Sequence, residues 1–276
     1  MNKKNTVLTI LVAIIALVGV YFAFFTGASK QSQQIHARWI SAHTSSTVSA
    51  YTPVKIYFTR DMVAKEQTGI TVSGKVFKIS PSVDGIASWV QPNVLEFAPK
   101  KLFENGESYK VTIDLSEVVD SLNVDNYVFS FDIIKQNFTV DIEGLTPVDM
   151  KTAELLRVYG NVALADKASD EVVKKILVAS VNKKDYPVKW TADNSGRYYN
   201  FTIDSIPRAE SQQILKIAYD GDAIGVDYKG ETTYKIPSKD EFVLTGYRVQ
   251  QHPEQQVKLY FSDAVKRYQD LNGLIR

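Results

Sequence analysis

A six-residue strand pattern occurs twice in this chain, and the spacing of the copies limits what the chain can fold into. Val54, Lys55, Ile56, Tyr57, Phe58 and Thr59 return as Val257, Lys258, Leu259, Tyr260, Phe261 and Ser262. In both copies every second residue is apolar, as a half-buried β-strand requires. The copies lie 203 residues apart, about twice the length of an immunoglobulin-like sandwich of roughly 100 residues. The pattern therefore predicts an all-β chain of tandem β-sandwiches, with the second copy opening a third module.

The beginning of the chain is of a different kind. Val7 to Phe25 is almost wholly apolar and carries no charge. As a helix it spans about 28 Å at ~1.5 Å per residue, close to the ~30 Å hydrocarbon core of a bilayer. Lys3 and Lys4 precede it, so the positive-inside rule keeps residues 1–6 in the cytoplasm and sends the rest outward. The reading adopted is an uncleaved signal-anchor over 7–25, a single pass through the inner membrane with the bulk of the chain in the periplasm. The alternative is a signal peptide cleaved after Thr26-Gly27-Ala28. Residues 26–34 read as a short flexible linker.

Composition closes off several functions. Lys plus Arg number 32 against 31 Asp plus Glu, a net charge of +1. No basic field is available for a polyanion, so nucleic acid is not an expected partner. Cysteine is absent, which removes disulfides, thiolate metal sites and a nucleophilic thiol. Hydrophobic residues at 45% are enough to build cores, so the chain is not a disordered one.

Alternation marks the strands of a first domain over 35–136: Ile35–Ile40, Val54–Thr59, Gly74–Ser80, Val94–Phe97, Tyr109–Asp114 and Tyr127–Ile133. Asp84-Gly85 and Asn105-Gly106 read as turns. In a second domain, over 137–237, Tyr199, Phe201 and Ile203 alternate, as do Leu215, Ile217 and Tyr219, before the turn Asp220-Gly221. Ser169–Leu177 reads as a short helix, with Val172, Val173, Ile176 and Leu177 on one face, and a strand is the alternative there. Residues 238–276 hold two further strands, Phe242–Tyr247 and Val257–Ser262. They read as the truncated start of a third domain, because so few residues cannot close a sandwich.

Chemistry is sparse. His36, His43 and His252 belong to no catalytic motif and read as surface or strand-edge residues. Asp220, Asp222 and Asp227 with Gly221 and Gly225 are spaced somewhat like a calcium loop. Ile224 stands where such a loop needs an oxygen ligand, so a polar hairpin turn is expected. Trp39, Trp89 and Trp190 read as core aromatics. Trp89, just after a turn, is the one that could present a flat ring to a carbohydrate. Asn137-Phe138-Thr139 and Asn200-Phe201-Thr202 fit the glycosylation pattern without implying its use. No catalytic, cofactor-binding or metal-binding residue is assigned.

A resemblance gathers many of these pieces. Phe77-Lys78-Ile79-Ser80-Pro81, Val83-Asp84-Gly85, Trp89, Leu95-Glu96-Phe97-Ala98-Pro99, Leu102, Gly106 and Tyr109–Ile113 resemble the first macroglobulin-like domain of bacterial alpha-2-macroglobulins. Gly160–Asp166, Trp190, Phe201-Thr202-Ile203 and Ile206-Pro207-Arg208 resemble the next domain. Phe261-Ser262-Asp263 and Gln269–Ile275 resemble the opening of the one after. The resemblance implies a non-catalytic, membrane-tethered N-terminal segment of an endopeptidase inhibitor that traps proteases. Its bait region and thioester lie outside this chain, so proteases are partners only through that part, and other envelope proteins are further partners. An immunoglobulin-like adhesion or cell-envelope structural protein is the second expectation, and a carbohydrate-binding module using Trp89 the third.

Overall fold

The computed structural model describes residues 37–72, 75–118, 126–149, 151–251, 253–266 and 268. The apolar run 7–25, the linker 26–34, His36, Gly74, His252 and residues 269–276 lie outside them. Among the described residues no helix is long and apolar enough to cross a membrane. The chain is all-β, its sheets almost wholly antiparallel, and it divides into two compact units, Met1–Ile133 and Ile134–Arg276.

The first unit contains β1 (Ile40–His43), β2 (Thr47–Val48), β3 (Val54–Phe58), β4 (Phe77–Ser80), β5 (Gly85–Gln91), β6 (Val94–Pro99), β7 (Ser108–Ile113) and β8 (Tyr127–Ile133). They form two four-stranded sheets, ordered β1-β3-β6-β5 and β2-β8-β7-β4. All pairs are antiparallel except β2 with β8. Alternation decides which side chains enter the core: Val54, Ile56 and Phe58 from β3 meet Val111 and Ile113 from β7 and Phe129 and Phe131 from β8. Each such side chain contributes about 1.5–3 kcal/mol by leaving water.

Two details differ from the sequence reading. The strand expected over Ile35–Ile40 begins at Ile40, because Arg38 and Trp39 turn the chain there. Thr59 N donates to the Trp39 carbonyl at 2.9 Å and Thr59 Oγ1 to the Arg38 carbonyl at 2.7 Å. Asp84-Gly85 leads straight into β5. A Cβ on Gly85 would lie 2.2 Å from Cζ of Phe97, so this glycine serves close packing beneath an aromatic ring.

The second unit contains β9 (Phe138–Pro147), β10 (Leu155–Leu164), α1 (Asp170–Val173), β11 (Leu177–Val181), β12 (Lys184–Tyr186), β13 (Val188–Ala192), β14 (Tyr198–Pro207), β15 (Gln213–Asp220), β16 (Lys229–Ile236), β17 (Leu244–Gln250) and β18 (Gln256–Phe261). Its four-stranded sheets run β13-β14-β10-β9 and β12-β11-β15-β16, and β17 with β18 forms a separate two-stranded sheet. Leu156, Val158, Ile203, Leu215 and Ile217 are fully buried in the core that the two larger sheets share. The helix expected over Ser169–Leu177 shrinks to one turn, α1. Leu177, Ala179 and Val181 alternate into the core from β11, and that strand pairing with β15 overrides the helical spacing upstream.

The repeated sequence is a repeated structure. In the first unit β3 pairs with β1 through Ile40↔Phe58, Ala42↔Tyr57 and His43↔Ile56, with a bulge after Ile40. In the second, β18 pairs with β17 through Leu244↔Phe261, Gly246↔Tyr260 and Tyr247↔Leu259, with the bulge in the corresponding place. The bond from Thr59 N to the Trp39 carbonyl has its counterpart from Ser262 N to the Val243 carbonyl, at 3.0 Å.

Candidate functional site

The β17–β18 hairpin is seated on β9 through close backbone contact and several polar side chains. Close approach of backbones comes first. A Cβ on Gly246 would lie 2.1 Å from the Glu143 carbonyl oxygen and 2.7 Å from the Gly144 Cα. Only two glycines let these strands touch at that distance. Around the contact, Thr245 Oγ1 donates to the Leu145 carbonyl at 2.5 Å. Arg248 Nη1 donates to Glu143 at 3.2 Å, and Tyr260 stacks on Tyr159 with centroids 5.8 Å apart.

Arg208, one residue past β14, locks the hairpin's roots. Its side chain is 2% exposed. Nη1 donates to both carboxylate oxygens of Asp263, at 3.0 and 2.9 Å, and more distantly to the Ser262 carbonyl. Nη2 donates to the carbonyls of Ser238, Lys239 and Glu241. Ser262 completes the knot: its Oγ donates to the Glu241 carbonyl at 2.8 Å and accepts from Val243 N at 3.0 Å. A guanidinium suits this place because its planar fork serves a carboxylate and several carbonyls at once. Arg208 Nε is buried without a hydrogen-bond partner. Chemically the arrangement holds two β elements in one fixed geometry.

The residues singled out from the sequence lie elsewhere. His43 ends β1; its Nδ1 sits 2.8 Å from the Thr44 carbonyl and its ring 4.4 Å from that of Phe129. Trp89 is 5% exposed and packs on Phe58. It cannot offer a face to a sugar, and the carbohydrate expectation is corrected accordingly. Trp190 is half-buried against Tyr199 and Phe201, and Trp39 lies beneath the Arg60 guanidinium at 3.9 Å. Asn137 Oδ1 accepts from Phe138 N, and Asn200 is an exposed residue of β14.

Asp220, Asp222 and Asp227 flank the turn joining β15 to β16. Asp220 and Asp222 both accept from Lys229 Nζ, at 2.7 and 2.6 Å, while Asp227 stands exposed. The hydrogen bond from Lys229 pulls the Asp220 carboxyl below its ordinary value, and those from Asp220 and Asp222 push the Lys229 ammonium up. Gly225, at φ 73°, closes the turn in the left-handed region. Among the described residues no group of three His, Asp or Glu side chains is placed to hold a metal ion.

A second charged cluster crosses three strands of one sheet. Asp204 of β14 accepts from Arg157 Nε of β10 and, at 2.7 Å, from Lys189 Nζ of β13. Burial raises the Asp204 pKa, but the bonds from Lys189 and Arg157 outweigh it and the net shift is downward. A depressed carboxylate stabilises the fold above the unfolded-state value of about 3.9 and loses that contribution as pH falls through the lower folded-state value. Asp204→Asn is therefore expected to cost about 1 kcal/mol at pH 7, the upper end for ion pairs whose cationic partners lie at the surface, because the carboxylate itself is mostly buried. Its deficit against the parent closes toward pH 2. Urea midpoints at the two pH values check this; a deficit that persists at pH 2 contradicts it.

No protein-family model matches the chain, and no curated protein matches it. Solved structures do. One is an L,D-transpeptidase from Mycobacterium tuberculosis H37Rv, 7% identical, covering 80% of this chain and 75% of that one at a TM-score of 0.25. Another is L,D-transpeptidase 3 from Mycobacterium tuberculosis in complex with a faropenem-derived adduct, 10% identical, covering 75% and 77% at 0.25. A third is the LD transpeptidase LdtMt1 in complex with imipenem, 12% identical, covering 71% and 73%, also at 0.25. At that identity and TM-score no residue role passes to this chain.

These findings correct two expectations. The alpha-2-macroglobulin resemblance, and the protease-inhibitor function drawn from it, are withdrawn: no family model and no curated protein supports them. The physical reason is plain in the pieces that carried the resemblance. Phe77-Lys78-Ile79, Leu95-Glu96-Phe97 and Tyr109–Ile113 are core strands whose alternation any sandwich demands. Arg208 and Ser262-Asp263 are partners in a local clamp. The expectation of a non-catalytic chain was drawn from that resemblance and is withdrawn with it.

Proposed function

We propose that this chain is a cell-envelope structural or adhesion protein built from immunoglobulin-like β-sandwich modules. The observation that carries the reading is the seat of the β17–β18 hairpin, where the Arg208 hydrogen bonds and the Gly144–Gly246 contact join a further β element to a four-stranded sheet. A joint of that kind suits a protein that spans distance and bears load. Each unit's paired four-stranded sheets fit the sandwich architecture. Lys3, Lys4 and the apolar run 7–25 support export, with an anchor in the inner membrane and the modules in the periplasm. Boundaries near 136 and 237 divide the modules in this reading.

Fusion of alkaline phosphatase and, separately, a cytoplasm-only fluorescent protein after residue 240 tests export, and a deletion strain tests the role. The expected results are an active phosphatase, a dark fluorescent fusion, and a deletion strain with weakened adhesion or greater osmotic fragility. A fluorescent fusion, or a deletion strain unchanged in both properties, overturns the reading.

A further inference from the structure

In the first unit, a cavity of about 390 Å³ lies between the turn that precedes β5 and the segment that joins β6 to β7. That volume falls in the ~300–1,000 Å³ range of small-ligand sites. Main-chain bonds fix its walls: Lys100 N donates to the Asp84 carbonyl at 2.8 Å, and Phe103 N to the Ala50 carbonyl at 3.3 Å. Tyr109 of β7, only 4% exposed, lines it from the core. The Tyr109 ring packs on Phe103 and Phe131 with centroids 4.9 and 5.6 Å away, which holds its hydroxyl in one place.

That hydroxyl is half used. Its oxygen accepts from Glu104 N at 3.1 Å. A phenol also donates, and among the described residues nothing accepts the Tyr109 proton. A buried donor without an acceptor is unfavourable, and a ligand oxygen in the cavity would supply one. The same lining carries Lys100, Lys101, Asp84 and Glu104, all exposed and none in an ion pair among the described residues. Two positive and two negative charges thus share one small space. A simple anion would suit the tyrosine proton and the lysines but would also face two carboxylates. A simple cation would find no acceptor in the tyrosine proton. A ligand that bears both charges complements the whole lining. Leu102, 52% exposed, offers apolar surface for a small side chain.

We propose that this cavity binds a small zwitterion of the amino-acid class, a free amino acid or a dipeptide. Its carboxylate accepts from Tyr109 Oη and from the Lys100 and Lys101 ammonium groups, and its own ammonium lies against Asp84 and Glu104. Because the walls and the tyrosine are already fixed, little ordering opposes binding. The inference stands on the first unit alone and goes beyond the envelope role; a failure of export leaves it intact.

The probe is alanylalanine, titrated into the full chain and followed by saturation-transfer NMR, with acetate and ethylamine as single-charge controls. Saturable binding at about 1 mM or tighter is expected, with both controls about ten-fold weaker or more. Alanine is titrated in parallel, and the tighter of the two sets the length of the ligand; either one supports the proposal. Lys101→Glu and Glu104→Gln alter exposed side chains and leave the fold intact. Lys101→Glu is expected to weaken dipeptide binding about five-fold or more. Glu104→Gln is expected to weaken the dipeptide but not acetate, a split that a purely structural role would not produce. Tyr109→Phe keeps the ring packing and removes the proton; a loss of about three- to ten-fold is expected. Absence of saturable binding up to about 10 mM overturns the proposal. So does acetate that binds as tightly as the zwitterion, or binding indifferent to both Lys101→Glu and Tyr109→Phe.

Discussion

Replacing Arg208 with Met is expected to destabilise the second unit by about 2–4 kcal/mol, because a partly exposed carboxylate and three main-chain carbonyls all lose one buried donor. The magnitude follows from what the side chain leaves behind. Asp263 loses both of its hydrogen bonds to Nη1, and the carbonyls of Ser238, Lys239 and Glu241 lose their common donor. Arg208→Lys keeps the charge but cannot fork toward a carboxylate and three carbonyls, so it recovers only part of the loss. Arg208→Met with Asp263→Leu is expected to be more stable than Arg208→Met alone, since the partly buried carboxylate is then not left without its partner. Hydrogen exchange locates the effect: amides of β17 and β18 lose protection by about two powers of ten or more, as a local opening of that free energy implies. Strands β1–β8 are expected to keep theirs. Unchanged protection of β17 and β18 in Arg208→Met contradicts the clamp.

What the sequence disclosed and what it hid divide along a physical line. Strands with large apolar residues at every second position were legible, and Tyr127–Ile133 stands in the structure at the bounds read from its alternation. The echo of Val54–Thr59 in Val257–Ser262 was legible for the same reason, and the shared bulge and register follow it. Strand β5 escaped because Gly85, Ala87 and Ser88 are small and Asp84-Gly85 imitates a turn; the sign of inward alternation there was Ala87 with Trp89. The Arg208 clamp escaped because its partners lie 30 to 55 residues away. A lone arginine after Ile206-Pro207 carries no local mark of burial. Local periodicity reports which face of a strand is dry, whereas a polar contact between distant segments leaves no period to read. The same limit explains the mistaken family resemblance, since its pieces were mostly periods.

Trp89→Ala is expected to destabilise the first unit by about 3–5 kcal/mol, the usual cost of deleting a large buried aromatic. Trp89 is held at three levels. Its backbone pairs with Leu95 of β6 on one side, while on the other its carbonyl accepts from Gly69 N at 2.7 Å and its N donates to the Ile70 carbonyl. Its ring packs on Phe58, the last residue of β3, with centroids 5.5 Å apart. Phe58 is 2% exposed, so truncation opens a cavity bordered by a ring that loses its neighbour, and partial collapse recovers only some of the lost contact. Trp89→Phe keeps part of the volume and is expected to cost less than half as much. Trp39→Ala serves as the control: that ring is only half-buried beneath Arg60, and its loss is expected to cost about 1 kcal/mol. Thermal melts of the three variants, read by near-ultraviolet circular dichroism, separate a core role from a surface one. A Trp89→Ala variant melting within about 2 °C of the parent would place the ring outside the core, because a loss of this size lowers the midpoint of a domain of about 100 residues by roughly 4–8 °C per kcal/mol.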